Sequence, residues 1–160
     1  MLTQICQYLR NWFERGVWLG GFKVSGGVLT YADGTALPLL NGQYYRVIGS
    51  VFNDGVHRFG TETVTENNAP VTRLFETLTD EPEFSGAVWK MAVPPVVVEL
   101  DAEIEQWCTD NAKAIASPYQ SESFGGYSYS LKSGGASDGS AGGVTWQSQF
   151  AAKLSPWRKI

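Results

Sequence analysis

Apolar residues at Ile5, Leu9, Trp12 and Phe13 recur at i, i+4, i+7 and i+8, one continuous stripe of an amphipathic helix. Thr3 suits its N-cap and Gly16 its C-terminal stop. From Phe22 to Phe59 the period changes to two. FKVS and VLTY, joined by Gly26-Gly27, predict a hairpin. Asp33-Gly34 and Asn41-Gly42 are further turn signals. QYYRVIGSVFNDGVHRF predicts a longer β segment that reverses at Asn53-Asp54-Gly55, and Gly49 within it marks a bulge or a close backbone approach. The polar stretch TETVTENNAPVT, residues 61 to 72, reads as a loop.

Leu74, Phe75 and Leu78 then lead into a second predicted helix. Thr79 or Asp80 caps it, Pro82 fits its first turn, and Glu81 and Glu83 face the positive end of its dipole. Phe84, Val88 and Met91 form its stripe, and Pro94-Pro95 ends it. A third helix, from Pro95 to about Ala112, carries Val97, Leu100, Ile104 and Trp107 on one face. Together these patterns predict an α+β chain. Its core is a small α-helical bundle with a short antiparallel β insertion at about residues 20–60, and it ends in an extended C-terminal arm that finishes in a helix.

The expected organisation is a globular core over 1–115, an arm and Gly/Ser tether over 116–143, and a C-terminal docking helix over 144–160. In the arm, SPYQSESFGGYSYSL alternates, with Tyr127, Tyr129 and Leu131 on one side of an extended chain. The following KSGGASDGSAGG has nothing to bury and reads as a flexible tether. Thr145 then suits the cap of a short helix with Trp146, Phe150 and Leu154 at i, i+4 and i+8. A strand-competent segment outside the core needs a sheet edge to complete its hydrogen bonds, so the arm is expected to dock on another chain.

Composition narrows the function. The 160 residues are 43% hydrophobic and 18% charged, an ordinary globular balance, and the net charge is −4. That sign gives no basic footprint for gripping nucleic acid. No apolar run approaches the length of a membrane span, so no membrane partner is expected, and the opening residues do not pattern as a secretory signal. Cys6 and Cys108 both fall in predicted helices and read as small buried hydrophobes.

Catalytic signals are sparse. His57 is the one histidine; Asp54 and a serine would be needed for a triad, but no serine sits in a G-x-S-x-G elbow. Glu99, Asp101, Glu103 and Glu105 read as the solvated face of a helix. Asn53-Asp54-Gly55 lacks the downstream acids of a calcium loop, and the glycine-rich tether contains no phosphate-binding motif. No catalytic residue, cofactor or metal is expected.

Four stretches carry a family resemblance: YYRVIGSVFNDGVHRFG, PEFSGAVWKMAVPP, SPYQSESFGGYSYS and the terminal WQSQFAAKLSPWRKI. Together they resemble the head–tail connector (adaptor) proteins of siphovirus-like bacteriophages and prophages. SESFGGYS, which looks like the Ser-Glu-Ser-x-Gly-x-Tyr-Ser signature of those proteins, is the strongest element. The resemblance implies a structural virion protein in the head–tail neck, assembled in the bacterial host cytoplasm. Such a protein forms a dodecameric ring with copies of itself beneath the portal protein and receives a stopper or tail-side neck protein on its far side. Double-stranded DNA passes through its channel without specific binding. The implied docking arm comprises Tyr119, Ser121, Glu122, Ser123, Phe124, Gly125, Tyr127, Tyr129 and Leu131. The implied C-terminal anchor comprises Trp146, Phe150, Leu154, Trp157 and Arg158. The β insertion, with Phe52, Asn53, Asp54 and Gly55 as candidate contacts, is larger than in all-helical members of the family. The competing expectations are another neck or tail component (a stopper or tail-completion protein), a β-rich surface-recognition module, and a lytic enzyme.

Overall fold

A computed structural model describes residues 1–112, 119–122, 129–131 and 145–159, with 119–122 and 129–131 described by their backbone. The chain is mostly β, which corrects the expected helical-bundle core. It divides into two compact units: Asn11–Pro94, and Met1–Arg10 together with Pro95–Ile160.

The first unit is built on a five-stranded antiparallel sheet. Its strands are β1 (Glu14–Ser25), β2 (Val28–Tyr31), β3 (Tyr44–Ile48), β4 (Gly55–Arg58) and β7 (Glu81–Met91), in the order β2-β1-β7-β3-β4. A separate hairpin, β5 (Thr61–Glu66) with β6 (Ala69–Leu74), makes a two-stranded ribbon. One face of the main sheet forms the core, with Phe22 and Val24 from β1, Leu29 from β2, Tyr45 and Val47 from β3, and Phe84 and Val88 from β7. Leu37, Leu39 and Leu78 close over it.

β7 is where the sequence expectation fails most plainly. Phe84 and Val88 are four residues apart, a spacing that puts two side chains on one face of a helix and equally on one face of a strand. Gly86 between them decides the matter. A Cβ there would collide with the carbonyl oxygen of Ile48, so the site is a close backbone approach inside a sheet. β7 pairs along its length with β1 and, over Ala87 to Lys90, with β3, which makes it the central strand. The polar stretch expected as a loop is the β5–β6 hairpin, which turns at Asn67 and Asn68, both with positive φ. Their side chains tolerate that backbone better than most.

The first helix is also shorter than its stripe. α1 (Leu2–Leu9) stops at Arg10, whose φ of 52° is left-handed, and Phe13 repeats the break with φ 48°. Trp12 and Phe13 therefore leave the helical stripe and belong to the β unit. There the Arg46 guanidinium lies 3.5 Å from the centroid of the Trp12 ring and 4.8 Å from that of Trp89.

In the second unit, α2 (Pro95–Asp110) and α3 (Trp146–Leu154) pack with α1. α1 buries Leu2, Ile5, Cys6 and Leu9, α2 buries Val97, Leu100 and Ile104, and α3 buries Trp146, Phe150 and Leu154. Trp146 meets Tyr8 edge-on at 5.5 Å, and Phe150 meets Trp107 at 6.2 Å. Thr145 caps α3 as its sequence predicts, in a reciprocal arrangement with Ser148. The amino terminus donates to Glu105 at 2.8 Å. The backbone of β8 (Tyr119–Glu122) pairs antiparallel with that of β9 (Tyr129–Leu131).

Candidate interaction surface

β3 ends at Ile48, and the next six residues, Gly49 to Asp54, turn the chain into β4. Gly49 has φ +95° and lies where a Cβ would come within 2.8 Å of the Ser85 carbonyl oxygen, so only glycine passes β7 here. Beyond it, short-range and long-range hydrogen bonds lock the loop. Ser50 N–H donates to Asp54 Oδ1 at 2.9 Å, and Asn53 N–H donates to Ser50 Oγ at 2.8 Å. Asn53 is 3% exposed and reaches across to Thr79: its Nδ2 donates to the Thr79 carbonyl and its Oδ1 accepts from the Thr79 N–H, each at 2.9 Å. One side chain thus imitates a rung of a β-ladder.

Glu81, at the start of β7, completes the lock. Its carboxylate is buried and accepts from Ser50 Oγ and from Val51 N–H. The hydrogen bond from Ser50, aided by that from Val51, holds the carboxyl below its usual range against the opposing effect of desolvation. A charged acceptor with neutral donors is a strong arrangement, and it fixes the loop from 30 residues away.

His57 on β4 clamps the other side. Its Nδ1 lies 2.7 Å from Glu76 Oε1, and its Nε2 lies 2.7 Å from the Asn53 carbonyl oxygen. Both neighbours are acceptors, so the doubly protonated ring satisfies both. Burial opposes that charge, yet the Glu76 and Asn53 bonds outweigh it and raise the His57 pKa above its ordinary value. Glu76 is lowered for the reciprocal reason: desolvation opposes its charge, and the hydrogen bond from His57 overcomes it. With both ring nitrogens engaged and Ser50 Oγ bonded to Glu81, His57 and Ser50 do not form a nucleophile–base pair. Among the described residues, no three His, Cys, Asp or Glu side chains group to hold a metal ion.

This polar scaffold presents apolar side chains to water. Val51 is 78% exposed and Phe52 63%. The outer face of the sheet beside them is apolar as well, because alternation puts residues between the core positions on the opposite side. Leu19, Ala87 and Ile48 stand in one cross-strand row, and Val17, Trp89, Arg46 and Val56 in the next. Leu19 is 77% exposed and Val17 53%. Exposed apolar side chains gathered on one face and an adjoining rigid loop have the makeup of a protein-docking surface.

The candidate residues distribute unevenly over this picture. Phe52 is exposed at the loop tip, Asn53 is its buried brace, Asp54 ties the turn to Ser50, and Gly55 opens β4 with φ 142°. Tyr119, Ser121 and Glu122 lie on the β8 backbone, and Tyr129 and Leu131 on that of β9. Ser123, Phe124, Gly125 and Tyr127, with the tether, lie outside the described residues. Trp146, Phe150 and Leu154 are buried by their own chain, Trp157 is half-buried, and Arg158 is exposed with its guanidinium 6.0 Å from the Tyr8 ring. Ser50, Glu76, Thr79 and Glu81 were not legible as parts of the site, because each meets its partner only after the sheet has formed. No described helix is long and apolar enough to cross a membrane. Neither a protein-family model, nor a curated protein, nor a solved structure matches the chain.

Proposed function

We propose that this chain is a structural subunit of a bacteriophage neck, a ring-forming adaptor between portal and tail through which double-stranded DNA passes. One observation carries the reading. Within YYRVIGSVFNDGVHRFG, a stretch that bears the resemblance, the chain invests a buried carboxylate, a buried asparagine and a clamped histidine in a loop that holds Val51 and Phe52 in water. The bonds stabilise the loop, but they do not require Val51 and Phe52 to stand in water, whereas a docking partner gains a preorganised apolar anchor from them. The net charge of −4 supports the channel role, since like charge lowers affinity for passing phosphates.

The mostly β fold favours a second reading within the same neck, a stopper or tail-completion protein, because the adaptor resemblance implied a helical core. Light scattering separates the two. The full chain and a Val51→Ser/Phe52→Ser variant are each measured alone, with the portal protein of the same genome, and with its tail-side neck proteins. The adaptor reading expects a ring-sized complex of the full chain with portal, lost in the double variant. Association with the tail-side protein alone transfers the chain to the second reading. A monomer that ignores both partners overturns the neck assignment.

A further inference from the structure

β2 and β4 are the two edges of the curled five-stranded sheet, and they do not pair with each other. A cavity of about 220 Å³ is lined from both sides, by Val28 and Leu29 of β2 and by Arg58 of β4 with Phe59 just beyond it. The segment that follows β6 spans this seam and is pinned at both ends. Phe75 N–H donates to the Gly60 carbonyl at 3.0 Å, and Leu78 N–H donates to the Gly27 carbonyl at 3.1 Å. Asp80 Oδ1 accepts from Gly27 N–H at 2.9 Å. The cavity is therefore preformed, at the unclosed mouth of a half-barrel, a place where β proteins commonly take ligands.

Val28, Leu29, Phe59 and Leu74 make its walls largely apolar. Tyr45 lines it as well, and it is 3% exposed. Its hydroxyl makes no hydrogen bond among the described residues. A hydroxyl withdrawn from water without a partner costs free energy, and the cavity is the space from which a partner reaches this one. The charged groups nearby are already engaged. Glu76 Oε1 lies against His57, and its Oε2 accepts from Arg58 N–H. The Arg58 guanidinium lies 3.8 Å from the centroid of Phe75, a ring outside the cavity walls. Burial, and then the charge of Glu76, raise the pKa of the Tyr45 hydroxyl, so it keeps its proton and donates. The same charge disfavours an anionic guest.

We propose that this cavity is a binding site for one neutral aromatic ring carrying a hydrogen-bond acceptor, a phenol in size and chemistry, with the Tyr45 hydroxyl donating to its oxygen. The dimensions agree. An apolar cavity of about 150 Å³ lined by Leu, Ile and Phe side chains holds a benzene ring. The 220 Å³ here therefore accommodates a ring with a small substituent at either end. The Tyr45 and Phe59 rings stand edge-on at 6.3 Å and offer a guest ring the edge and face contacts that aromatic groups prefer. A free phenol and a tyrosine side chain of another protein share this chemistry. The site stands on its own geometry and is independent of the neck assignment.

Chemical-shift titrations of the full chain with p-cresol, toluene and p-toluate at neutral pH test it. p-Cresol is expected to shift Leu29, Tyr45 and Leu74 saturably and to bind more tightly than p-toluate. Tyr45→Phe keeps the ring and removes the donor. It is expected to weaken p-cresol roughly threefold to tenfold, the worth of one hydrogen bond, and to leave toluene unchanged. Without ligand, Tyr45→Phe is expected to match the parent chain in urea unfolding, which separates a hydrogen bond to a guest from a structural one. The absence of a saturable p-cresol shift overturns the proposal. So do equal losses of p-cresol and toluene in Tyr45→Phe, or tighter binding of p-toluate than of p-cresol. N-acetyl-tyrosinamide separates the two sources: binding comparable to p-cresol supports a ring carried on a protein chain, and its exclusion supports a free small molecule.

Discussion

Asn53 is the residue on which the rigidity of the docking loop can be weighed. Its two short bonds to Thr79, each 2.9 Å, are the substantial ones, while its contact with Glu81 Oε2 at 3.4 Å is long and adds little. Asn53→Ala removes both short bonds, which at about 0.5–1.5 kcal/mol net apiece totals about 1–3 kcal/mol. Thr79 is exposed, so water reaches its freed N–H and C=O and the full penalty for orphaned groups does not apply. We expect about 2 kcal/mol. Asn53→Asp is the sharper perturbation. It keeps an acceptor for the Thr79 N–H but turns the donor into an oxygen facing the Thr79 carbonyl and the Glu81 carboxylate. It should therefore cost more than alanine at neutral pH and recover part of the loss on acidification, as one of the paired carboxyls takes up a proton. Urea unfolding followed by tryptophan fluorescence at pH 5 and pH 7.5 measures both. Amide exchange at Val51 and Asn53 reports whether the loop loosens before global unfolding. A loss below about 0.5 kcal/mol for the alanine variant, or an aspartate variant no worse than it, would refute the reasoning that this side chain fixes the loop.

Two further outcomes follow from the same geometry. Because the folded pKa of His57 is raised, its contribution is fully present below its ordinary value near 6.5 and is lost as pH rises through the folded pKa. The lowered Glu76 contributes above its ordinary value and loses that contribution as pH falls through its folded pKa, so the pair is strongest between the two. A titration of the His57 ring proton by NMR should place the midpoint above 6.5, and His57→Gln should flatten the stability profile across pH 6–8; a midpoint below 6.5 contradicts the two-acceptor geometry. Gly86→Ala should cost at least about 1–3 kcal/mol in urea unfolding, because its Cβ meets the Ile48 carbonyl oxygen in the middle of the sheet; a neutral result would mean β7 does not hold that register.

What the sequence determined by itself is the local chemistry. Gly26-Gly27 fixes the β1–β2 turn and Asp33 and Gly34 the next, because positive φ and short polar side chains select those conformations without outside help, and Asn53-Asp54-Gly55 marks the reversal before β4 that Thr79 and Glu81 then hold. Pro95 begins α2 and Thr145 caps α3 for equally local reasons. Phe52 and its neighbours were legible as a turn and a candidate contact, whereas the exposed Val17 and Leu19 of β1 were not. Tertiary structure alone decided the rest. The four-residue spacing of Phe84 and Val88 serves a helix and a strand alike, and only the close passage of Ile48 past Gly86 makes β7 a central strand. The polar β5–β6 ribbon has no alternating apolar face to announce it, and it forms because Gly60 and Asn41 bring its ends together. Glu81 looked like an acid at a helix start and is instead the buried acceptor of a loop about thirty residues earlier. A side chain's partner across a sheet is set by register, and register is a property of paired strands that neither strand encodes alone.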